Sequence, residues 1–318
     1  MVEPDHAARR AVAERAAQVL RPAGALRRLD EIAAWLAGWQ RTDRPAVERP
    51  AAVVFAADHG VAAEGVSAYP AAVTGEMLRA LRAGVATAAV LCRQVGAALH
   101  VVDVGVGRPT GNITVEPALD SDGFAAAWAA GRDAVATLDA DLLVLGEMGI
   151  ANTTTAAAVA AGLFGGPVSD WVGRGTGVDD AGLAHKTAVV ERAGARVAGV
   201  TDPLEILREV GGSELVAMAG AAQAARDRSL PLLLDGYVVT AALAPLAVAR
   251  PGALDHCLAA HRSPEPGHGR LLARLGLEPL LDLELRLGEG SGALLAVPIV
   301  AMAAAAVTDV ATFAEWGM

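Results

Sequence analysis

Aromatic residues make up only 3% of the 318 residues, so large rings cannot build the interior. Hydrophobic residues still reach 53%, and small aliphatics, chiefly Ala, Val and Leu, must fill the core. Only 19% of residues are charged, and this composition excludes a disordered chain. Cysteine is almost absent. Cys92 and Cys257 make neither a disulfide framework nor a zinc site, and they point to a reducing cytoplasm. Basic residues are outnumbered, 26 Lys and Arg against 36 Asp and Glu, for a net charge of −10. That excludes a general nucleic-acid binder, which needs basic surface to neutralise phosphates, but not a local pocket for a small phosphorylated ligand. Long apolar runs are missing too. The longest, Gly292 to Val307, contains Pro298 and falls short of the roughly 20 residues that span a bilayer, so it reads as a buried core helix. The N-terminus, MVEPDHAARRAVAERAAQVL, is charged and amphipathic and lacks the apolar stretch of a secretory signal. His256, His261 and His268 match no firm zinc spacing, so no metal is expected. No Gly-x-Ser-x-Gly elbow and no case for a cysteine nucleophile are present, and no cofactor is implied.

What the chain does have is a rhythm. Residues 6–40 read as two helices, the first capped by Asp5 and ended by Pro22 and Gly24. The polar segment Arg41–Pro50 reads as a loop. Short apolar runs then recur, each ending in Gly or an acid. Ala52–Ala57 leads to Asp58, Leu99–Val102 to Asp103, Leu142–Leu145 to Glu147, and Leu232–Leu234 to Asp235. A weaker run near Val168 leads to Gly173. Helical stretches lie between them, at about 74–95, 120–138, 153–164, 179–199 and 203–209. The last has Asp202 at the N-cap, Pro203 at N1 and Glu205 at N3, and Gly211-Gly212 stops it. Buried strands alternating with helices predict an α/β fold with a parallel sheet. The segment His261–Gly269 reads as a loop that either connects or serves a site.

Ligands of open parallel sheets bind beyond the carboxyl ends of the strands, so Asp58, Asp103, Glu147 and Asp235 should rise toward one rim. Each taken alone is as readily a turn former or helix cap. The strongest local signal is Gly146-Glu147-Met148-Gly149-Ile150-Ala151-Asn152-Thr153-Thr154-Thr155, where a strand turns into an alanine-rich helix. A helix N-terminus offers unpaired N–H groups and a positive dipole end that suit phosphate. Ordinary capping by Asn152 or Thr153 is the plainer reading. Gly173-Arg174-Gly175-Thr176-Gly177 is a second glycine-rich loop, neither a P-loop nor a dinucleotide fingerprint, and Lys186 follows in the next helix, where a lysine taken alone is usually a solvated surface charge. In Leu287-Gly288-Glu289-Gly290-Ser291-Gly292 a carboxylate sits between glycines before the apolar helix. Apolar surroundings would raise its pKa and suit a base, whereas the helix N-terminus would favour the anion.

Taken together, these motifs resemble one family, the nicotinate-nucleotide–dimethylbenzimidazole phosphoribosyltransferases of cobalamin lower-ligand assembly. The matching segments are AADHGVAAEGVSAYPAAVTGEM (ending at Met77), VVDVGV (101–106), GEMGIANTTTAAA (146–158), GRGTGVDD (173–180), EVGGSELVAMAGA (209–221), LLDGYVVTAA (233–242), HRSPEPGH (261–268) and LDLELRLGEGSGA (281–293). They keep the family's order and span nearly the whole chain after residue 50. The resemblance implies a Rossmann-like parallel sheet flanked by helices, with a smaller helical subdomain from both termini. In this division residues 1–50 are an N-terminal helical segment, 51–250 the α/β core, and 251–318 the loops and helices that complete the small subdomain. It also implies a homodimer whose substrates are nicotinate mononucleotide and a benzimidazole, with no nucleic-acid or membrane partner. Glu289 would be the general base and Glu147 a second acid at the reacting centre. Gly149, Asn152, Thr153, Thr154, Arg174, Gly175, Thr176, Lys186, Asp235, Gly236, Ser263, Gly290 and Ser291 would hold the nucleotide. Ser67, Tyr69, Pro70, Glu76, Met77, Met148 and Leu287 would wall the base pocket. Two positions depart from the family. Members commonly have glycine where this chain has Ala151, which predicts a helical or extended backbone there, and many have Gln at the place of Glu76. The N-terminal helical region is also short beside longer members. The alternatives are a related transferase for adenine, another benzimidazole or a phenol, and a non-catalytic nucleotide-binding subunit.

Overall fold

The computed structural model describes residues 2–318. Two helices open the chain, α1 (His6–Ala16) and α2 (Arg27–Gln40). The Asp5 carboxylate caps α1 by accepting from the N–H groups of Ala7 and Ala8 at 2.8 and 3.0 Å. The α/β portion then runs β1 (Pro50–Ala57), α3 (Val73–Arg82), α4 (Thr87–Val95), β2 (Ala98–Gly105), α5 (Ser121–Ala136), β3 (Leu142–Met148), α6 (Asn152–Phe164), α7 (Asp180–Arg196), α8 (Pro203–Val210), α9 (Ser213–Asp227), β4 (Leu232–Leu234) and α10 (Tyr237–Ala249). It ends with β5 (Cys257–Ala259), α11 (Pro266–Leu275) and α12 (Ser291–Thr308). The five strands form one parallel sheet in the order β2-β1-β3-β4-β5. The chain is thus α/β, a parallel sheet flanked by helices, as the alternating pattern requires.

Strand periodicity sorts the core into two layers. Val53, Phe55, Leu143, Leu145, Leu232 and Leu234 face one side and pack with Val159, Leu215, Val239 and their neighbours on α6, α9 and α10. Ala52, Val54, Leu142, Val144 and Leu233 face the other and meet Trp35, Leu36 and Trp39 of α2, Cys92 of α4 and Leu294, Val297 and Val300 of α12. With so few rings available, small residues let the helices approach closely. A Cβ on Gly131 of α5 would lie 1.8 Å from the carbonyl oxygen of Ala217 on α9, and one on Gly220 would lie 2.3 Å from that of Trp128. The 18-residue α12, with a mean hydropathy of 2.0, is long and apolar enough to cross a membrane by length and composition, yet 61% of it is buried within the fold. It packs against α2 and α4, as expected of a core helix.

Three expectations change. The run near Val168 is a short 3-10 turn, Val168–Asp170, not a strand: Gly165, Gly166 and Pro167 precede it and leave too few residues to pair. The helix expected over 74–95 is two helices, because Gly84 adopts φ +75° between them. The fifth strand, β5, goes unannounced in the sequence, because its run is cysteine, leucine and alanine between His256 and His261 rather than a bulky aliphatic run.

The close crossing of α5 and α9 has a measurable consequence. Gly131→Ala should lower stability by about 1–3 kcal/mol through overpacking, read as a lower denaturation midpoint. Gly194→Ala in α7, where a Cβ meets nothing within 4 Å, should raise stability by about 0.4–1 kcal/mol through the unfolded chain. Equal midpoints for the two variants would contradict this packing.

Candidate active site

Parallel pairing brings the four strand-end acids to one edge of the sheet, but only two of them build a site. Asp58 accepts from Gly107 N–H at 2.7 Å, and Asp103 accepts from Gly105 and Val106 N–H at 3.1 and 2.9 Å. These are the turn-forming aspartates of the plainer reading. Glu147 instead lines a small cavity of about 90 Å³ beyond β3 and β4, and Asp235 lies buried beside it.

Glu147 is buried and accepts a hydrogen bond from the Asn152 side chain, and Gly288 passes directly over it. Burial pushes its pKa up to about 8; the Asn152 bond opposes this, and the negative charges of Asp235, Glu214 and Glu289 add to it. The turn after Glu147 is anchored from behind. A Cβ on Gly149 would meet the Ala57 carbonyl, Glu214 and His59 at 2.9–3.0 Å. Ile150 N–H donates to Thr74 Oγ1 at 3.1 Å, tying α3 to this turn. Ala151 is left-handed, φ +78° and ψ +2°, which corrects the helical or extended backbone expected there. The chain reverses from β3 into α6 within three residues, and anchors on both sides hold alanine in a conformation that costs it roughly 1–2 kcal/mol.

Ala151 is the N-cap of α6, and no side chain caps this helix. Asn152 is taken up by Glu147, so capping by Asn152 or Thr153 does not occur. Lys186, expected on helix statistics to be solvated, is fully buried. Its ammonium donates to Thr153 Oγ1 at 2.7 Å and to the Gly173 carbonyl at 3.1 Å. Burial lowers its pKa to about 8, against the attraction of Glu265. Gly175 N–H donates to Glu265 Oε1 at 2.8 Å, and Glu265 Oε2 has no partner. Helix start, lysine and glycine loop therefore converge in one place, a positively polarised corner in which the Glu265 carboxylate already accepts from Gly175 N–H.

Glu289 stands across the cavity's edge, buried, with φ +60°. Its N–H donates to the Glu147 carbonyl at 3.1 Å, and its Oε2 accepts from Ala88 N–H at 3.1 Å in the first turn of α4. Burial raises its pKa; the Ala88 bond opposes the rise and the charge of Asp235 adds to it. The helix end that opposes the rise is that of α4, not that of the apolar helix following Glu289 which the sequence pointed to, and burial prevails.

Of the residues singled out from the sequence, Glu147, Met148, Gly149, Asn152, Thr153, Gly175, Thr176, Gly236, Ser263 and Leu287 line the cavity. Thr154, Lys186, Asp235, Glu289, Gly290 and Ser291 are buried without lining it. Arg174 points elsewhere: its guanidinium donates to the Val178 carbonyl at 3.0 Å and pairs with Asp180. Tyr69, Pro70 and Glu76 are exposed, and Glu76 pairs with Arg79. Ser67 Oγ accepts from Tyr69 N–H at 3.2 Å. Met77 and Met148 each pack against the layer that contains Ala88. Sequence reasoning missed Tyr237, His261 and Glu265, which also line the cavity, and the buried His59–Glu214 pair at 2.5 Å behind Gly149. Their signal was position: His261 and Glu265 sit in the same short loop as Ser263, and His59 directly follows a strand-end aspartate.

The buried histidines His256 and His268 have pKa values lowered to about 3 by burial, and the thiol of Cys92 is pushed up to about 11. Cys257 is likewise raised by burial, so neither cysteine is an activated nucleophile. Among the described residues no group of three or more His, Cys, Asp or Glu side chains could hold a metal ion.

The raised Glu147 has a sign-determined effect on stability. Folding holds its proton while the unfolded chain releases it, so its contribution is full below about pH 4.5 and is lost as pH rises through about 8. Glu147→Gln, which cannot ionise, should match wild type at low pH and exceed it by on the order of 4 kcal/mol at pH 8. Denaturation midpoints that stay parallel across this range would contradict the burial of the carboxyl.

A family model described as phosphoribosyltransferase matches residues 1–318. The nicotinate-nucleotide–dimethylbenzimidazole phosphoribosyltransferase of Cereibacter sphaeroides is 50% identical over 317 residues, covering 99% of this chain and 94% of that protein. Its namesake from Mesorhizobium japonicum is 52% identical over 312 residues, covering 98% and 93%. The crystal structure of CobT from Thermus thermophilus is 43% identical, covers 98% of this chain and 99% of its own, and superimposes with a TM-score of 0.94. Likeness at this level, over the whole length and on the same fold, makes the chain a member of the nicotinate-nucleotide–dimethylbenzimidazole phosphoribosyltransferase family.

Proposed function

We propose that this protein transfers the 5-phosphoribosyl group of nicotinate mononucleotide to 5,6-dimethylbenzimidazole, releasing nicotinate and α-ribazole 5′-phosphate for cobalamin assembly. The observation that carries the reading is the pairing of two buried carboxyl groups, Glu147 and Glu289, both with raised pKa values, beside an uncapped helix start and a buried lysine. A non-catalytic binding subunit has no use for two carboxyls held in such costly surroundings.

In this mechanism the nucleotide phosphate lies against the first turn of α6, near Gly149, Thr153 and Gly175, with Lys186 supplying charge through Thr153. The ribose reaches toward Glu147. The leaving nicotinate is a pyridinium, and breaking its glycosidic bond returns the bonding pair to the ring nitrogen and neutralises it. No strong acid is needed on that side. Positive charge grows on the ribose and is stabilised by the nearby acidic groups. The benzimidazole enters along the wall formed by Met77 and Met148 and attacks through one ring nitrogen. Its other nitrogen gives up a proton to the Glu289 carboxylate, whose raised pKa brings it nearer the operating pH. Attack from the opposite face turns a β-nucleotide into an α-product. The cavity of about 90 Å³ is well below the roughly 300–1,000 Å³ of small-molecule sites, so its lining opens to admit the nucleotide, and Arg286 and Leu287 are exposed parts of that lining.

Several observations support the remaining parts of the reading. Helices α1, α2 and α12 pack together, consistent with a small subdomain built from residues 1–50 and 251–318 around the 51–250 core. Val85, Val90, Leu295 and Met302 are exposed on the layer of α4 and α12, a face suited to a second copy of the chain. The two free, buried cysteines fit a cytoplasmic protein.

Purified protein mixed with both substrates should release nicotinate; no release would refute the activity. Glu289→Gln should lower kcat by about 100- to 10,000-fold with little change in KM for the nucleotide, and near-normal turnover would remove Glu289 as the base. Lys186→Met should weaken nucleotide binding about 10- to 100-fold by calorimetry, and an unchanged Kd would leave the lysine a purely structural part.

A further inference from the structure

The family resemblance implied that Asp235 holds the nucleotide, but its carboxylate is already engaged. Oδ2 accepts from Gly290 N–H at 3.2 Å and Oδ1 from Ala293 N–H at 3.0 Å. His261 Nε2 lies 3.4 Å from Oδ1, and its ring is wedged so tightly against Gly292 that a Cβ there would sit 2.2 Å from it. Gly290 is the N-cap of α12, and no side chain of its own caps that helix. Asp235, arriving from the end of β4, takes that part from a distance of 55 residues.

The segment it grips is an unusual one. Gly288, Glu289 and Gly290 are three successive left-handed residues, with φ of +83°, +60° and +78°. A non-glycine residue keeps such a conformation only where its surroundings over-determine it. The peptide on the near side of Glu289 is fixed by the Glu147 carbonyl at 3.1 Å. On the far side, the Gly290 N–H donates to Asp235 Oδ2 at 3.2 Å. Gly146 closes the space beneath, since a Cβ there would fall 2.5 Å from the Glu289 carbonyl carbon.

We propose that Asp235 is the positioning residue for Glu289, clamping the first turn of α12 so that the left-handed Glu289 keeps its carboxylate at the base slot, and that it is not a ligand of the nucleotide. The assignment rests on the reading of Glu289 as the proton acceptor. The groups that face Glu289 are Asp235 from β4, Glu147 from β3 and the N–H of Ala88 from α4, with His261 behind Asp235. The negative charge of Asp235 raises the Glu289 pKa, so the clamp also sets the pH at which the acceptor is ready.

The test compares wild type, Asp235→Asn and Glu289→Gln by amide hydrogen exchange and steady-state kinetics. Asp235→Asn should speed exchange in the peptide spanning residues 288–294 by about tenfold or more. It should lower kcat about 10- to 100-fold while KM for nicotinate mononucleotide stays within about twofold, and move the acidic limb of the kcat profile to lower pH. Unchanged exchange in that peptide, or an intact kcat with a raised nucleotide KM, would overturn the assignment. If Asp235→Asn does not fold, Asp235→Glu serves: it keeps the charge but overreaches the two N–H groups, so kcat should fall while the acidic limb stays in place, and normal kcat would overturn the clamp. The exchange readout does not depend on chemistry. Normal turnover in Glu289→Gln together with faster exchange in Asp235→Asn would sink the base while leaving the clamp.

Discussion

The site depends on holding acidic side chains where water cannot reach them. Glu147, Asp235 and Glu289 converge at the carboxyl edge of one parallel sheet, all buried. Desolvation disfavours the charges of Glu147 and Glu289, and the nearby negative charge of Asp235 adds to the cost. What makes the arrangement tenable is a supply of fixed donors: the Asn152 amide for Glu147, two backbone N–H groups of α12 for Asp235, and Ala88 N–H for Glu289. Against these donors burial still holds Glu147 and Glu289 above the usual carboxylate range, the condition a proton acceptor working near neutral pH requires.

The fold serves this corner through small residues. An interior built on Ala, Val and Leu gives thin helices that pack closely on both faces of the sheet, and strand ends are delivered to one rim in fixed register. Backbone strain is stored where the chemistry is expected. Ala151 and Glu289 are both left-handed, and each is flanked by anchors that leave the chain no alternative. The same tightness explains why glycine borders these positions. Gly146, Gly149, Gly288 and Gly292 each have a neighbour within 3 Å of the place a Cβ would take.

Much of this was legible in the sequence. Strand periodicity and the acid or glycine ending each strand located the rim, and Asp5 and Asp202 marked helix starts where they occur. Four strand-end acids could not be sorted into two turn formers and two site residues, because that depends on which backbone N–H groups reach them from distant segments. The left-handed Ala151 was unreadable for a similar reason: local preference argues against it, and anchors from α3 and β3 override that preference. β5 is no shorter than β4, but it sets a cysteine and small alanines beside His256 and His261 where β4 has a leucine run, so it carries no comparable signal. Lys186 looked like an ordinary surface charge, since its burial comes from packing of α7 against the loop at Gly173.

The most direct test of the whole account is a crystal structure of the Glu289→Gln protein with nicotinate mononucleotide and 5,6-dimethylbenzimidazole bound together. The account predicts the phosphate at the first turn of α6 and the benzimidazole N–H within about 2.6–3.2 Å of the side chain at position 289. A base whose N–H faces Glu147 or solvent, or a phosphate held away from Thr153 and Gly175, would contradict it.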